Sequence, residues 1–169
     1  MVGKNIISSY RHGGDITVNQ NNIFRTLHHV CVVVHNIEKA VAYYESVGIG
    51  PWLEFPSLEP FKHELDVPDR QGFFNLRYRY VNLDNFQLQL CEPSESNTPQ
   101  RRFLETHGEG VFHLGFTVPN CNQAETEAAG LGLKTLMRGR LPEGGGFNYF
   151  QTAENGAGVT LEIRSNMRS

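Results

Sequence analysis

Four polar residues, His29, Gln89, His113 and Glu162, are set among apolar neighbours in a way that points to joint chemistry. His29 lies in Leu27-His28-His29-Val30-Cys31-Val32-Val33-Val34, and His113 in Val111-Phe112-His113-Leu114-Gly115-Phe116. Gln89 falls in Phe86-Gln87-Leu88-Gln89-Leu90-Cys91, and Glu162 in Val159-Thr160-Leu161-Glu162-Ile163. Short runs rich in valine, aromatic and other apolar residues read as buried strands. A buried polar side chain without a partner costs roughly several kcal/mol, so each of the four needs one. Two imidazole nitrogens and two oxygens meeting at one point suit a divalent cation. That donor set fits Co, Ni, Zn, Mn or Fe(II) far better than Ca. A lone histidine in such a strand serves equally as a hydrogen-bonded core residue, but two at matching positions need a shared reason.

The matching positions come from an internal repeat. After the first strand, Asn36 offers a cap to the helical spacing of Ile37-Glu38-Lys39-Ala40-Val41-Ala42-Tyr43-Tyr44, and Gly48 stops it. The same order returns with His113 for His29, Asn120 for Asn36, Ala124 for Ala40 and Gly132 for Gly48, at a constant offset of 84 residues. Four coincident features indicate a duplicated module of strand, helix and further strands. Between them, residues 74–80 alternate, with Phe74, Leu76, Tyr78 and Tyr80 on one face and Asn75, Arg77 and Arg79 on the other. Asp84-Asn85 then turns the chain into residues 86–91, a hairpin. Residues 99–106 predict a short amphipathic helix ended by Gly108. The second module closes with the Gly144-Gly145-Gly146 loop, a strand over 147–151, a turn at Asn155-Gly156 and a strand over 159–163. Strand alternation turns His28 to the face opposite His29, so it is not counted as a ligand.

The 169 residues carry a formal net charge of −3 with 20% charged residues, and no dense Lys/Arg stripe. Electrostatic recognition of nucleic acid is therefore not expected. No stretch reaches the length of a membrane span, and the first residues lack the apolar core of a signal segment. Cys31, Cys91 and Cys121 are odd in number and widely spaced, and two fall in apolar strands. They read as free core thiols in a reducing cytoplasm. Residues 1–24 form a polar N-terminal extension whose Asp15-Ile16-Thr17-Val18 could add an edge strand, although a partly ordered arm is the simpler expectation. Residues 25–165 form one domain, module one spanning about 25–93 and module two about 110–165.

These stretches resemble the vicinal oxygen chelate superfamily, which includes glyoxalases, bleomycin-resistance proteins, extradiol dioxygenases and methylmalonyl-CoA epimerases. The resemblance is greatest to the epimerases. It rests on His28-His29-Val30, Gln89-Leu90-Cys91-Glu92-Pro93, Phe103-Leu104-Glu105, Gly110-Val111-Phe112-His113-Leu114 and Gly158-Val159-Thr160-Leu161-Glu162. It implies an α+β fold of two tandem βαβββ modules forming a cupped mixed sheet around a metal site. The family's metal ligands fall on His29, Gln89, His113 and Glu162, and one divalent ion is the implied cofactor. A small-molecule substrate with vicinal oxygens, acyl-CoA among the candidates, and a homodimer are implied as partners.

Such chemistry removes a proton next to a carbonyl whose charge the metal stabilises. Glu162 is the expected base. Epimerisation is simplest with a second base on the opposite side, which in the epimerases is a glutamate after a Gln-Gly pair. Here that stretch is Gln71-Gly72-Phe73-Phe74-Asn75, and Asn75, which exchanges no proton at neutral pH, takes the position. Asn75, Arg77 and Arg79 are the expected substrate-binding residues, the arginines as carboxylate clamps if their face lines the cup and as solvent-facing charges if it does not. Trp52 and Phe55 are candidates for an apolar wall, and Gly144 to Gly146 for a mobile lid. Arg138 and Arg140 read as solvated charge or as partners for coenzyme A phosphates. The expected activity is a metal-dependent isomerase of the epimerase type. A lyase or hydrolase using Glu162 alone on an anionic small molecule stays open, as does a non-catalytic ligand-binding protein.

Overall fold

The valine-rich run around His29 forms the strand β1 (Leu27–Val33) at the centre of the computed structural model, which describes residues 22–165. Asn36 caps the following helix α1 (Ile37–Ser46) by accepting from the Lys39 amide at 2.9 Å. The chain continues through β2 (Leu53–Glu54), a 3-10 turn (Glu59–His63), β3 (Glu64–Asp66), α2 (Arg70–Phe74), β4 (Arg77–Asn82) and β5 (Gln87–Glu92). A linking helix α3 (Pro99–His107) leads into β6 (Gly110–Thr117), α4 (Cys121–Gly130), β7 (Thr135–Arg140), β8 (Gly146–Phe150) and β9 (Thr160–Ser165).

The repeat carries through to cap chemistry. Asn120 accepts from the Gln123 amide at 3.0 Å, as Asn36 does from Lys39. Gly48 and Gly132 then leave their helices at φ 93° and 82°, a conformation that costs glycine nothing. In both modules the first strand pairs in parallel with the last, β1 with β5 and β6 with β9. Antiparallel pairing of β1 with β6 joins the modules into one mixed nine-stranded sheet, in the order β2-β4-β5-β1-β6-β9-β8-β7-β3. The fold is thus α+β with paired βαβββ-like modules.

One side of the sheet is covered by helices. Ile37 of α1 packs on Val34 and Leu90, and Ala124 and Ala128 of α4 pack on Phe150 and Ile163. Each buried Ile or Phe contributes about 1.5–3 kcal/mol through its removal from water. On the other side Cys31, Cys91, Phe112 and Tyr149 pack with Phe73, Leu76 and Leu104. All three cysteines are buried free thiols, so they act here as small core residues.

Three features depart from expectation. The strand predicted from Phe74 begins only at Arg77, because Asp69 caps the helix α2 through the Gly72 amide at 2.8 Å. Asn75 is therefore the exposed C-cap of a helix and not a strand residue. Secondly, β7 occupies residues that carry no clear alternation, and β3 pairs with it in the register Glu64–Arg140. Thirdly, β2 and β3 end up on opposite edges of the sheet, so residues 55–63 run from one edge strand to the other. The strand considered at residues 15–18 lies outside the described residues.

Candidate metal centre

The site is built by register. Across β1, β6 and β9, His29 pairs with Gly115 and Gly115 with Glu162. One pleat along, Gln89 pairs with Cys31 and Cys31 with His113. Residues two apart on a strand share a face, so these two rows project His29, Gln89, His113 and Glu162 from one side of the sheet. Gly115 makes the arrangement possible. A Cβ there would run into the His29 ring, so the imidazole lies over a position that only glycine leaves open. Cys31 is the residue at the equivalent place in module one, and the repeat is broken at that point to seat the ring.

His29 Nε2 lies 2.8 Å from His113 Nε2 and 2.8 Å from Glu162 Oε2, and His113 Nε2 lies 3.1 Å from the same oxygen. Bonds of about 2.0–2.2 Å from one cation to nitrogen and oxygen place neighbouring ligand atoms roughly 3 Å apart, so the triangle fits a small divalent ion. His29, His113 and Glu162 are 2%, 0% and 4% exposed, which keeps water from competing for them. Gln89 is buried beside them, and its Nε2 donates to Gln87 Oε1 at 2.7 Å, which leaves its own carbonyl oxygen for the site. A buried His/His/Glu cluster that could hold a metal ion is thus present.

The surroundings set the charges. Burial alone would raise the Glu162 carboxyl, but the facing His29 and His113 rings outweigh it and hold the group well below the usual carboxylate range. Burial pushes His113 down, with Glu162 opposing only in part, so its ring favours the neutral form that ligates. The Tyr149 hydroxyl stands 3.4 Å from His113 Nε2; burial, then the Glu162 charge, push its pKa well up and keep it protonated.

A cavity of about 660 Å³ opens on this cluster, within the range of small-molecule sites. His29, Gln89 and Glu162 line it, together with Phe55 and Phe61 of the edge-to-edge connection.

The other expected residues are placed differently. Arg77 binds Glu38 at 2.6 Å and Glu92 at 2.9 Å, Arg79 binds Glu54 at 3.1 Å, and neither lines the cavity. Asn75 is also absent from the lining and accepts from Gln71 at 3.2 Å. Trp52 packs on Tyr44 and donates to the Ile49 carbonyl, leaving Phe55 as the wall residue of that pair. Arg140 is not solvated charge: it is 5% exposed and bonded to Glu125, Asn122 and Asn148, while Arg138 pairs with Glu64. His28 also corrects the reading from alternation. The β1–β6 register slips between Leu27 and His29, and His28 Nδ1 lies 2.9 Å from His29 Nδ1 with its Nε2 2.7 Å from Arg164. Tyr78, Tyr149 and Gly115 escaped the sequence reading; Gly115 alone left a signal, as the glycine that breaks the repeat.

The family model of the Glyoxalase/Bleomycin resistance protein/Dioxygenase superfamily matches residues 28–150. In sequence the chain is 32% identical over 99 residues to the mitochondrial methylmalonyl-CoA epimerase of Bos taurus, covering 58% of this chain and 49% of that one. The chain thus matches about half the length of this relative. Among solved structures it superposes on methylmalonyl-CoA epimerase from Mycobacterium tuberculosis with a TM-score of 0.64 at 18% identity, over 88% of this chain and 92% of the other. A Streptomyces coelicolor methylmalonyl-CoA epimerase variant in complex with 2-nitronate-propionyl-CoA gives 0.61 at 19% identity, over 85% and 96%. At these identities the structural likeness establishes the fold.

Proposed function

The chain belongs to the glyoxalase/bleomycin resistance protein/dioxygenase superfamily, and from that premise we propose that it is a divalent-metal-dependent isomerase whose chemistry is of the methylmalonyl-CoA epimerase type. The observation that carries this reading is the convergence of His29, His113 and Glu162, two of which, His29 and Glu162, line the 660 Å³ cavity. His29, Gln89, His113 and Glu162 are the proposed ligands. A cation bound there supplies Lewis acidity to a carbonyl compound that reaches it through two vicinal oxygens.

The remaining work falls to the chain. Glu162, ionised and facing the cavity, takes the proton next to the carbonyl and returns it. His29 and His113 flank the carboxylate, 2.8 and 3.1 Å from its Oε2. The protonated Tyr149 hydroxyl beside His113 offers a hydrogen bond where charge develops on oxygen.

A second reading, a single-base lyase or hydrolase, is favoured by Asn75, which lies on a helix cap away from the cavity and so supplies no opposing base. Deuterium incorporation from heavy water next to the carbonyl, followed with methylmalonyl-CoA and with phenylpyruvate, tests the main reading. Metal-dependent incorporation into at least one of them above the buffer rate is expected. Incorporation into neither would overturn it, and incorporation without inversion of methylmalonyl-CoA would move the assignment to the single-base reading.

A further inference from the structure

The cavity is walled largely by rings. Phe73 and Phe147 stack with centroids 5.6 Å apart, and Phe61 meets Phe147 edge-on at 5.0 Å. Phe55 lies against Tyr78 at 5.3 Å, and Tyr149 stands 5.6 Å from Phe147. All six line the same space. Among the described residues ionic groups are few: besides the metal-centre residues, the lining holds Glu143, Arg164 and no lysine. Register pairs the charges with rings, Glu162 with Tyr149 and Arg164 with Phe147 on the neighbouring strand. Pro56 and Pro60 stiffen the connection that brings Phe55 and Phe61 to the cavity wall.

We propose that this cavity takes a compact aromatic oxo acid, its ring held among the phenylalanines and its vicinal oxygens at the cation that His29, Gln89, His113 and Glu162 would hold, in preference to a coenzyme A thioester. The inference rests on the metal-dependent reading above and names its substrate class. Aromatic faces and edges select a ring, each good ring contact adding roughly 2–10-fold in affinity. The polyanionic arm of coenzyme A calls for several cations, and among the described residues the lining provides one arginine.

The test is calorimetric titration of the full chain, loaded with Co(II), with phenylpyruvate, pyruvate and propionyl-CoA. Phenylpyruvate is expected to bind at least 10-fold more tightly than pyruvate, which has the same oxygen pair and no ring. Phe61→Ala should weaken phenylpyruvate roughly 2–10-fold and leave pyruvate unchanged. Phe55→Ala reads the same wall should the first variant fail to fold. Equal affinity for phenylpyruvate and pyruvate, or tighter binding of propionyl-CoA, would overturn the proposal. Co(II) binding is measured first on the same protein. A chain that binds no Co(II) yet prefers phenylpyruvate contradicts the metal reading while supporting the ring-binding cavity.

Discussion

His29 and His113, 84 positions apart, aim their Nε2 atoms at each other across 2.8 Å. With Glu162 Oε2 at 2.8 and 3.1 Å from these nitrogens, the three atoms form a cluster that could hold a cation. The duplication explains how the pair arises: the same strand position is used twice, and the antiparallel β1–β6 pairing turns the two copies toward one centre.

Glu162→Gln keeps the side-chain shape and removes the charge that both imidazoles face. Metal affinity should fall by more than the roughly 10–100-fold that loss of an outer-shell partner costs, because Glu162 is itself a proposed ligand. Proton exchange at the substrate should fall by about 10²–10⁴-fold. Isothermal titration and exchange rates measured on the same preparation check both. Retained exchange would remove Glu162 from the role of base.

Gly115→Ala tests how the site is seated. The added methyl meets the His29 ring directly, so the ring must move or the strands part. The expected result is a folded protein destabilised by about 1–3 kcal/mol with at least roughly 10-fold weaker metal binding. Wild-type affinity in this variant would show that His29 does not need its observed position.

His28→Asn addresses a neighbour that strand alternation sent to the wrong face. Its Nδ1 lies 2.9 Å from His29 Nδ1, the nitrogen turned away from the site. Groups in that position orient a ligand ring, and their loss typically costs about 10–100-fold in metal affinity. Competition with a chromogenic chelator measures it, and an unchanged affinity would assign His28 to packing alone.

The metal-free protein should lose stability as the solution is acidified. Burial, then Arg164 and His29, lower the His28 pKa to about 4 from an ordinary 6.5, and burial lowers His113 as well. Both rings therefore bind protons more readily in the unfolded chain. Their contribution is complete above pH 6.5 and drains away as pH falls toward 4, the folded value of His28. The Glu162 contribution persists further into acid, since its carboxyl is held low in the folded state. Denaturant midpoints at pH 7.5 and pH 5 should differ, with the lower value at pH 5 and a smaller gap for His28→Asn.

Most of what positions the site was legible in the sequence because the repeat is written in caps as well as in strands. Asn36 and Asn120, Gly48 and Gly132 give both modules the same local physics, and the strand pairing follows. Alternation misleads around Asn75 for an equally local reason. Phe74, Leu76 and Tyr78 alternate as a strand would, but the Asp69 cap and the burial of Phe73 place the first part in a helix. Arg77 and Arg79 then meet Glu38 of α1, a contact between distant residues that alternation does not encode. Likewise, Phe61 reaches the cavity only because β3 pairs with the far edge strand β7, and three residues carry too little pattern to announce that pairing.

The most direct measurement is elemental metal content per chain, by mass spectrometry, for the wild type and His113→Ala after loading with Co, Ni, Zn, Mn or Fe(II). About one ion per chain in the wild type and almost none in the variant is the predicted result. Full retention in His113→Ala, or no binding of any of these ions by the wild type, would contradict the metal centre on which the proposed function stands.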